Sequence, residues 1–264
     1  MNTIEYQMLD ILKKGKDEFG YVGVKAEFEA EGTRIDELLR LIDIARKADL
    51  KIALKIGGCE AMKDLMEVKQ IGVDYVIAPM VESSYAMSKF IEAKNKIYNE
   101  QEQKNVQFLT NMETINTWND INGIIKNAKG NIDGLVFGRV DFTMSLGMNG
   151  REDINKDVIT QYVKLVSEQC RDNNLEFVLG GGISIDAIPV VKYINNTHLS
   201  RYETRKILFN APSADNLNAA DALLSAVEFE LLWLKNKREY YGSIFKEDNN
   251  RIDMLEKRWK NMND

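Results

Sequence analysis

The stretch Gly134-Leu135-Val136-Phe137 is apolar at four successive positions, and so is the stretch Tyr75-Val76-Ile77-Ala78. Strands with one face in water alternate apolar and polar residues, whereas strands in parallel sheets are buried on both faces and are apolar throughout. Seven strand-like runs are recognisable along the chain, and they cover residues 21–26, 51–56, 74–81, 106–110, 134–138, 176–179 and 206–210. The sequence therefore predicts a largely parallel sheet.

Amphipathic helical patterns separate these runs. One of them places Ile35, Leu38 and Ile42 on a single face, and another ends at Gly72, which suits a left-handed C-cap. Repeated strand–helix units without a break in composition favour a (β/α)8 TIM barrel, an α/β fold, over an open doubly wound sheet. Because a closed barrel needs eight strands, we expect one further short strand before Gly23.

The C-terminal part of the chain predicts additional helices. Residues 217–231 have the pattern of one long helix, and beyond Gly242 a second apolar stripe is formed by Ile252, Leu255, Trp259 and Met262. We expect a barrel domain at residues 1–242 and a helical extension at residues 243–264. An apolar stripe on an exposed helix requires a cover, which is either its own barrel or a neighbouring subunit.

The composition limits the classes of function. With 44% hydrophobic and 29% charged residues, the 264-residue chain resembles an ordinary folded domain. Its net charge of −6 does not suit a nucleic-acid partner, and no apolar run reaches the roughly 18 residues that span a bilayer. Two cysteines cannot form a disulfide framework, and a single histidine excludes a histidine-rich metal site. We therefore expect a cytoplasmic protein that acts on small molecules, without a nucleic-acid or membrane partner.

Two acidic residues end neighbouring strand-like runs. Glu113 and Asp141 lie one strand–helix unit apart, and in a barrel both would reach the mouth formed by the carboxyl ends of the strands. Two carboxylates with water and a chelating oxygen ligand suit Mg²⁺ or Mn²⁺. The alternative is that each acid caps the helix that follows it.

A lysine stands at the end of another apolar run. Lys55 could hold a substrate carboxylate or an enolate, or it could form a Schiff base with a carbonyl group. Its alternative role is structural, with the charge reaching water or pairing with Glu60 or Glu82.

Three segments together resemble the HpcH/HpaI aldolase and citrate lyase β-subunit family. They read Leu109-Thr110-Asn111-Met112-Glu113-Thr114, then Gly134-Leu135-Val136-Phe137-Gly138-Arg139-Val140-Asp141-Phe142, then Ser145-Leu146-Gly147. The likeness covers roughly residues 22–212, and the strand ends at Lys55 and at residues 79–83 also follow the order of the family.

The resemblance implies a phosphoenolpyruvate/pyruvate-type TIM barrel that cleaves a carbon–carbon bond through a metal-bound enolate of a small 2-oxo acid. It implies that Glu113 and Asp141 hold the divalent metal and that Lys55 takes the place of an arginine that stabilises the enolate. The substrate-binding candidates are the backbone amides of Gly138, Arg139 and Val140, together with Asn111 and Glu82. It also implies a homo-oligomer, since relatives often exchange a C-terminal helix between subunits.

One departure from the family concerns the acid–base group. The hydroxy-acid aldolases place a histidine after an early strand, but residues 25–31 contain none. Glu27 and Glu29 are the remaining candidates for the base. The leading hypothesis is a metal-dependent aldolase or lyase. The alternatives are a 2-oxo-acid-binding protein without turnover and a Schiff-base lyase that uses Lys55.

Overall fold

The strands of the computed structural model, which describes residues 1–263, close into one eight-stranded barrel in the order β1 to β8. Their bounds are β1 (Tyr21–Glu27), β2 (Lys51–Lys55), β3 (Tyr75–Ala78), β4 (Gln107–Met112), β5 (Gly134–Gly138), β6 (Glu176–Gly180), β7 (Arg201–Glu203) and β8 (Ile207–Asn210). Seven of them coincide with the apolar runs. The predicted α/β barrel of the TIM type is confirmed.

Helices connect the strands and surround the barrel. They are α1 (Thr3–Glu18), α2 (Ile35–Lys47), α3 (Met62–Ile71), α4 (Ser84–Ile97), α5 (Glu100–Gln103), α6 (Ile115–Asn119), α7 (Ile121–Ala128), α8 (Arg139–Ser145), α9 (Asp157–Asp172), α10 (Ile188–Asn195) and α11 (Ala219–Asn263). Gly72 ends α3 with a φ of 78°, as its sequence position predicts.

The eighth strand lies elsewhere than predicted. The residues before β1 form α1, whereas the missing strand is β7, which precedes β8. These two strands form a hairpin, so β8 runs antiparallel to both β7 and β1, while all other neighbours are parallel. The connecting residues 204–206 therefore lie at the same end of the barrel as the carboxyl ends of the parallel strands.

The barrel interior changes character along its axis. Its middle is filled by apolar side chains from alternating strand positions, namely Ala53, Tyr75, Ile77, Leu109, Val136, Val178 and Leu208. Towards the carboxyl ends, the inward-facing residues are charged, as in Lys25, Lys55 and Glu203, which are all buried. Since buried charges are rare unless they are paired, this end of the barrel is the place to look for function.

The C-terminal residues form one helix instead of several. Helix α11 continues through Gly242, so the prediction of separate C-terminal helices is wrong. The helix packs along α1, and the Tyr241 hydroxyl donates to the Glu37 carboxylate at 2.6 Å. Beyond this contact, residues 242–262 are exposed. Within residues 1–263, no helix combines the length and the apolar character that crossing a membrane requires.

Candidate functional site

A cavity of about 650 Å³ opens at the carboxyl ends of the strands. Charged residues that line it include Lys25, Glu27, Glu29, Lys55, Glu113, Asp141, Arg151, Glu203, Arg205 and Glu230, and further lining residues include Met80, Asn111, Gly138, Val140 and Gly180–Gly182. The predicted residues Glu27, Glu29, Lys55, Asn111, Glu113, Gly138, Val140 and Asp141 thus come together at one place. A volume of this size accommodates a whole small-molecule ligand.

Glu113 is the most deeply buried acid of the cavity. It directly follows β4 and is 1% exposed. Its Oε1 accepts a hydrogen bond from the Met80 amide at 3.0 Å, and its Oε2 accepts one from Asn111 Nδ2 at 2.7 Å. Met80 has a φ of 48°, an unfavourable value for a residue with a side chain. The carboxylate is therefore held in one orientation by rigid donors.

Asp141 approaches the cavity from the first turn of α8, directly after β5. The strand ends at Gly138, and a Cβ there would lie 2.9 Å from Glu113 Cβ, so only glycine lets the two strand ends pack this closely. No described residue forms a hydrogen bond or an ion pair with the Asp141 carboxylate. The two predicted metal ligands therefore face the same cavity, one fixed and one open.

The Lys55 ammonium lies between two carboxylates. Its Nζ is 3.0 Å from Glu29 Oε2 and 3.5 Å from Glu113 Oε2. Burial lowers the pKa of Lys55, but Glu113 and Glu29 raise it more, so the net pKa is above the ordinary value. Lys55 is therefore a cation at neutral pH.

The predicted structural partners of Lys55 lie elsewhere. Glu60 pairs with Lys89 at 3.4 Å. Glu82 accepts a hydrogen bond from the Thr114 hydroxyl at 2.8 Å and does not line the cavity. The expectation that Glu82 binds substrate is thus not supported, because its carboxylate ties two loops together outside the cavity.

A second buried lysine extends the charged layer across the barrel. Lys25 Nζ is 2.5 Å from Glu203 Oε1 and 3.3 Å from Glu27 Oε1. Burial lowers the pKa of Lys25, but Glu203 and Glu27 reverse this, and its net pKa is raised. The pKa of Glu27 is raised by burial and lowered more by Lys25 and Lys55, so it lies below the ordinary value. The sequence marks Lys25 as an unusual residue in a buried strand, but its partner Glu203 lies on the strand that the sequence did not predict.

Arg139 supports the site from behind. Its side chain is completely buried and donates to the carbonyl oxygens of Gly181 at 3.1 Å and Gly182 at 2.9 Å, and to Asn155 Oδ1 at 2.9 Å. Burial lowers the pKa of Arg139 to about 10. A Cβ at Gly181 would lie 2.5 Å from the Arg139 amide nitrogen and 2.8 Å from that of Val140. Glycine at this position therefore leaves space over the two amides, which belong to the predicted carboxylate-binding group.

A cluster of ion pairs lies at the rim between β1 and the β7–β8 hairpin. Lys206 is 2% exposed and hydrogen-bonds to Glu31, and its Nζ lies 5.6 Å from the centre of the Trp233 ring. Arg205 lies 4.0 Å from Glu31 Oε1 and 3.7 Å from Glu230 Oε1. These contacts connect the loop that follows β1 to the hairpin and to α11.

The site has the parts for binding a small anion next to a metal ion. Two carboxylates converge on one cavity, backbone amides lie at the start of α8, and a lysine cation borders one of the carboxylates. Among residues 1–263, no group of three or more His, Cys, Asp or Glu side chains has metal-binding geometry. A metal ion held here would take its remaining ligands from water and from the bound substrate.

Comparison with known proteins gives the family. The solved structure of an HpcH/HpaI aldolase/citrate lyase family protein from Burkholderia cenocepacia has a TM-score of 0.60 and 15% identity, with 85% of this chain and 90% of the other covered. An HpcH/HpaI aldolase from Desulfitobacterium hafniense has a TM-score of 0.59 and 12% identity, with 89% of each chain covered. The citrate synthase SbnG, solved as a variant, has a TM-score of 0.56 and 16% identity, with 75% and 81% covered.

At these identities the structural likeness concerns the fold. No curated protein sequence matches the chain significantly. The sequence profile of the HpcH/HpaI aldolase/citrate lyase family, however, matches residues 25–192, which include the end of β1, all of β2 to β6 and both predicted metal ligands. The chain therefore belongs to the HpcH/HpaI aldolase/citrate lyase family.

Proposed function

We propose that this protein is a divalent-metal-dependent carbon–carbon lyase that acts on a small 2-oxo acid or its aldol adduct. The observation that carries the proposal is the convergence of Glu113 and Asp141 on one cavity, with the Lys55 cation 3.5 Å from Glu113 Oε2. Membership of a family of aldolases and lyases supports the same reaction class.

The acids present suit a hard divalent cation. A carboxylate has about four lone-pair sites, so Glu113 can bind a cation while it accepts its present hydrogen bonds. Asp141 has no competing partner among the described residues. Bound by these two residues, Mg²⁺ or Mn²⁺ would supply Lewis-acid stabilisation of the negative charge that develops on the 2-oxo oxygen.

The chain's own residues supply binding and charge. The amides of Gly138, Arg139 and Val140 donate to the substrate carboxylate, and Asn111 contacts the pyruvate unit. The Lys55 ammonium faces the developing enolate oxygen and stabilises its charge, which is the type of interaction that lowers barriers most in a cavity shielded from water.

Glu29 is the better candidate for the base. The pKa of Glu27 is lowered by Lys25 and Lys55, which makes Glu27 a weaker proton acceptor. Glu29 borders the cavity, and its Oε2 has no hydrogen bond of good geometry although it lies near Lys55. We therefore assign proton transfer at the carbon next to the 2-oxo group to Glu29.

A Schiff-base mechanism is disfavoured by the charge state of Lys55. Imine formation requires an uncharged amine, and lysines that serve as nucleophiles have lowered pKa values. The pKa of Lys55 is raised. Reduction with borohydride in the presence of pyruvate should therefore leave Lys55 unmodified.

The test is exchange of the pyruvate methyl protons with D₂O, followed by NMR, because exchange requires the enolate but no second substrate. We expect exchange that depends on added Mg²⁺ or Mn²⁺ and that falls at least a hundredfold in Glu113→Gln, which removes one ligand charge. Glu60→Gln, which changes an acid outside the cavity, is the matched control. Exchange that persists unchanged in a chelator would contradict the proposal.

A second candidate is a binding protein that has lost turnover. The absence of histidine from residues 25–31 favours it, since the resemblance to the hydroxy-acid aldolases implies a catalytic histidine there. Calorimetry with oxalate and Mg²⁺ separates the two candidates when it is run beside the exchange measurement. Binding of oxalate without pyruvate exchange would favour the binding protein.

A further inference from the structure

A buried positive charge lies behind the cavity without an acidic partner. The Arg139 side chain is completely buried, and its hydrogen bonds go to the carbonyl oxygens of Gly181 and Gly182 and to Asn155 Oδ1, which are all uncharged acceptors. Within residues 1–263, no Asp or Glu carboxylate forms an ion pair with the guanidinium. Since arginine is charged at neutral pH, this charge is held by dipoles and is not cancelled.

The buried lysines of the cavity differ from Arg139 in this respect. Lys25 lies 2.5 Å from Glu203 Oε1, and Lys55 lies 3.0 Å from Glu29 Oε2, so each has a carboxylate as its partner. Burying a charge without a counter-charge is unfavourable for folding. Proteins keep such unfavourable features mainly at functional sites.

One glycine connects this charge to the amides proposed to bind the substrate carboxylate. The Gly181 carbonyl oxygen accepts a hydrogen bond from Arg139 Nε at 3.1 Å. A Cβ on the same glycine would lie 2.5 Å from the Arg139 amide nitrogen and 2.8 Å from the Val140 amide nitrogen. The guanidinium and the open amides are therefore separated by the breadth of a single residue, a separation over which charges inside a protein interact appreciably.

The cavity itself is unfavourable for an anion. Among the charged residues that line it, acids outnumber bases, and the two buried lysines are already paired with acids. A substrate carboxylate that binds to uncharged amides is therefore repelled by the surrounding carboxylates. A positive charge directly behind the amides offsets this repulsion without occupying space in the cavity.

From this arrangement we infer that Arg139 is a positioning residue for the substrate carboxylate. Its uncompensated charge acts across Gly181, without contact with the ligand, and makes the amides favour an anion over an uncharged ligand. This role rests on the proposed function, because the carboxylate and the amides that bind it belong to that proposal. Arg139 makes and breaks no covalent bond in it.

Asn155 allows the charge to be cancelled with little change of shape. Asn155→Asp places a carboxylate of nearly the same size next to the guanidinium, keeps an oxygen that accepts the 2.9 Å hydrogen bond, and changes a residue that does not line the cavity. Asn105→Asp adds the same charge just before β4, at the opposite end of the barrel, and is the matched control.

The first readout is calorimetry with oxalate and with oxamate in the presence of Mg²⁺. Oxalate carries two negative charges and oxamate carries one, so the loss of an electrostatic contribution affects the binding free energy of oxalate twice as strongly. We expect Asn155→Asp to weaken oxalate binding about tenfold and oxamate binding about threefold, and Asn105→Asp to change neither. Equal weakening of both ligands, or an unchanged affinity for oxalate, would overturn the inference.

Two further readouts distinguish the loss of charge from a disturbed fold. An aspartate beside an unpaired buried arginine supplies the missing counter-charge, so the urea midpoint of N155D should not fall. The affinity for Mg²⁺ alone should not fall either, because cancelling a positive charge favours the binding of a cation. A decrease in either quantity would overturn the inference.

Pyruvate exchange in the same samples separates this role from the proposed function. Oxalate binding that is weakened by N155D, in a wild type that shows no exchange, refutes the lyase and keeps the role of Arg139. Exchange in the wild type, with an oxalate affinity that N155D leaves unchanged, refutes the role of Arg139 and keeps the lyase. A wild type that does not bind oxalate with Mg²⁺ refutes both.

Discussion

The Arg139 guanidinium shows how a side chain can support a site without itself contacting the ligand. Its guanidinium is buried, and its three hydrogen bonds join the loop after β6 to Asn155, next to the amides at the start of α8. Burial lowers its pKa only to about 10, so it remains charged at neutral pH. A buried charge of this kind is tolerated because its donors have acceptors.

Replacement of this residue should therefore be costly. We expect Arg139→Met to lower the free energy of unfolding by about 3 kcal/mol, because the carbonyl oxygens of Gly181 and Gly182 lose their donor. Urea unfolding followed by tryptophan fluorescence measures this loss. Arg171→Met, at an exposed arginine, serves as the control, and an equal effect of both substitutions would contradict the assigned role.

For single residues, the sequence predicted where the acidic residues of the site lie, but it did not predict which charged residues form ion pairs. Glu113 and Asp141 were predicted to share the mouth of a barrel because each ends a strand-like run, and both line the cavity. The pairing of Lys25 with Glu203 joins residues 178 positions apart. No local pattern reveals a contact over such a separation, since it exists only when the barrel closes.

Among the elements, the strands show what local patterns can and cannot predict. Seven strands are apolar enough to be recognised from sequence. Strand β7 has only three residues, two of them charged, and was missed. Its Arg201 pairs with Glu176 at 2.5 Å and lies 4.4 Å from the centre of the Tyr75 ring, and its Glu203 pairs with Lys25. A short strand whose charged side chains are paired inside the barrel has the sequence pattern of a loop, because the partners of those charges lie far away in the sequence.

Helix α11 gives the corresponding lesson for helices. Gly242 was interpreted as a boundary, but glycine inside a helix costs only about 1 kcal/mol relative to alanine, and the helix continues through it. A Cβ at this position would meet no atom within 4 Å.

Substitution at Gly242 should therefore act on the helix alone. We expect Gly242→Ala to stabilise the helix locally by about 1 kcal/mol and to slow amide hydrogen exchange in residues 243–262. Gly242→Pro should interrupt the helix, at a cost of about 3 kcal/mol, and accelerate exchange in the same residues. Identical exchange in the two variants would show that this segment is not helical in solution.

The whole molecule carries an acid-sensitive connection between α1, α2 and α11. Burial raises the pKa of Glu5, but hydrogen bonds from Arg40, Asn2 and Asn236 lower it more. Burial likewise raises the pKa of Glu37, and Tyr241 and Lys237 lower it more. Both acids thus have lower pKa values in the folded protein than in the unfolded chain, so their contribution to stability is present above the unfolded pKa and disappears as the pH falls through the folded pKa.

We therefore expect the free energy of unfolding to decrease as the pH falls below about 4.3, the ordinary pKa of glutamate. Glu5→Gln combined with Glu37→Gln should reduce the slope of stability against pH in this range, because neither amide titrates. Urea unfolding at a series of pH values measures the slope. A double variant with the slope of the wild type would contradict the assignment.

The exposed end of α11 bears on assembly. The side chains of Leu255, Trp259 and Met262 are 50%, 71% and 74% exposed. The neighbouring helical turns, residues 242–262, are exposed as well, so no other part of the described chain covers them. We propose that a second copy of the chain covers this stripe, since apolar residues on an isolated helix are unfavourable in water.

Deletion of residues 243–264 should then lower the mass measured by light scattering. The helical circular dichroism signal should decrease only by the contribution of the deleted residues, because the barrel does not depend on this segment for its packing. A wild-type protein that is already monomeric, or a deletion variant with an unchanged number of subunits, would exclude this role for the segment.

The antiparallel last strand has a consequence for biosynthesis. The barrel closes when β8 pairs with β1, through Tyr21 with Phe209 and Val24 with Ile207, and with β7. In a nascent chain on the ribosome, β1 to β7 therefore leave the exit tunnel before β8, the strand that joins β7 to β1. During that interval both margins of the sheet expose unpaired backbone groups, which are prone to association with other chains. Translation that pauses after β7 has emerged and before β8 has left the exit tunnel would prolong this interval, and these margins would then be the places where a chaperone is needed.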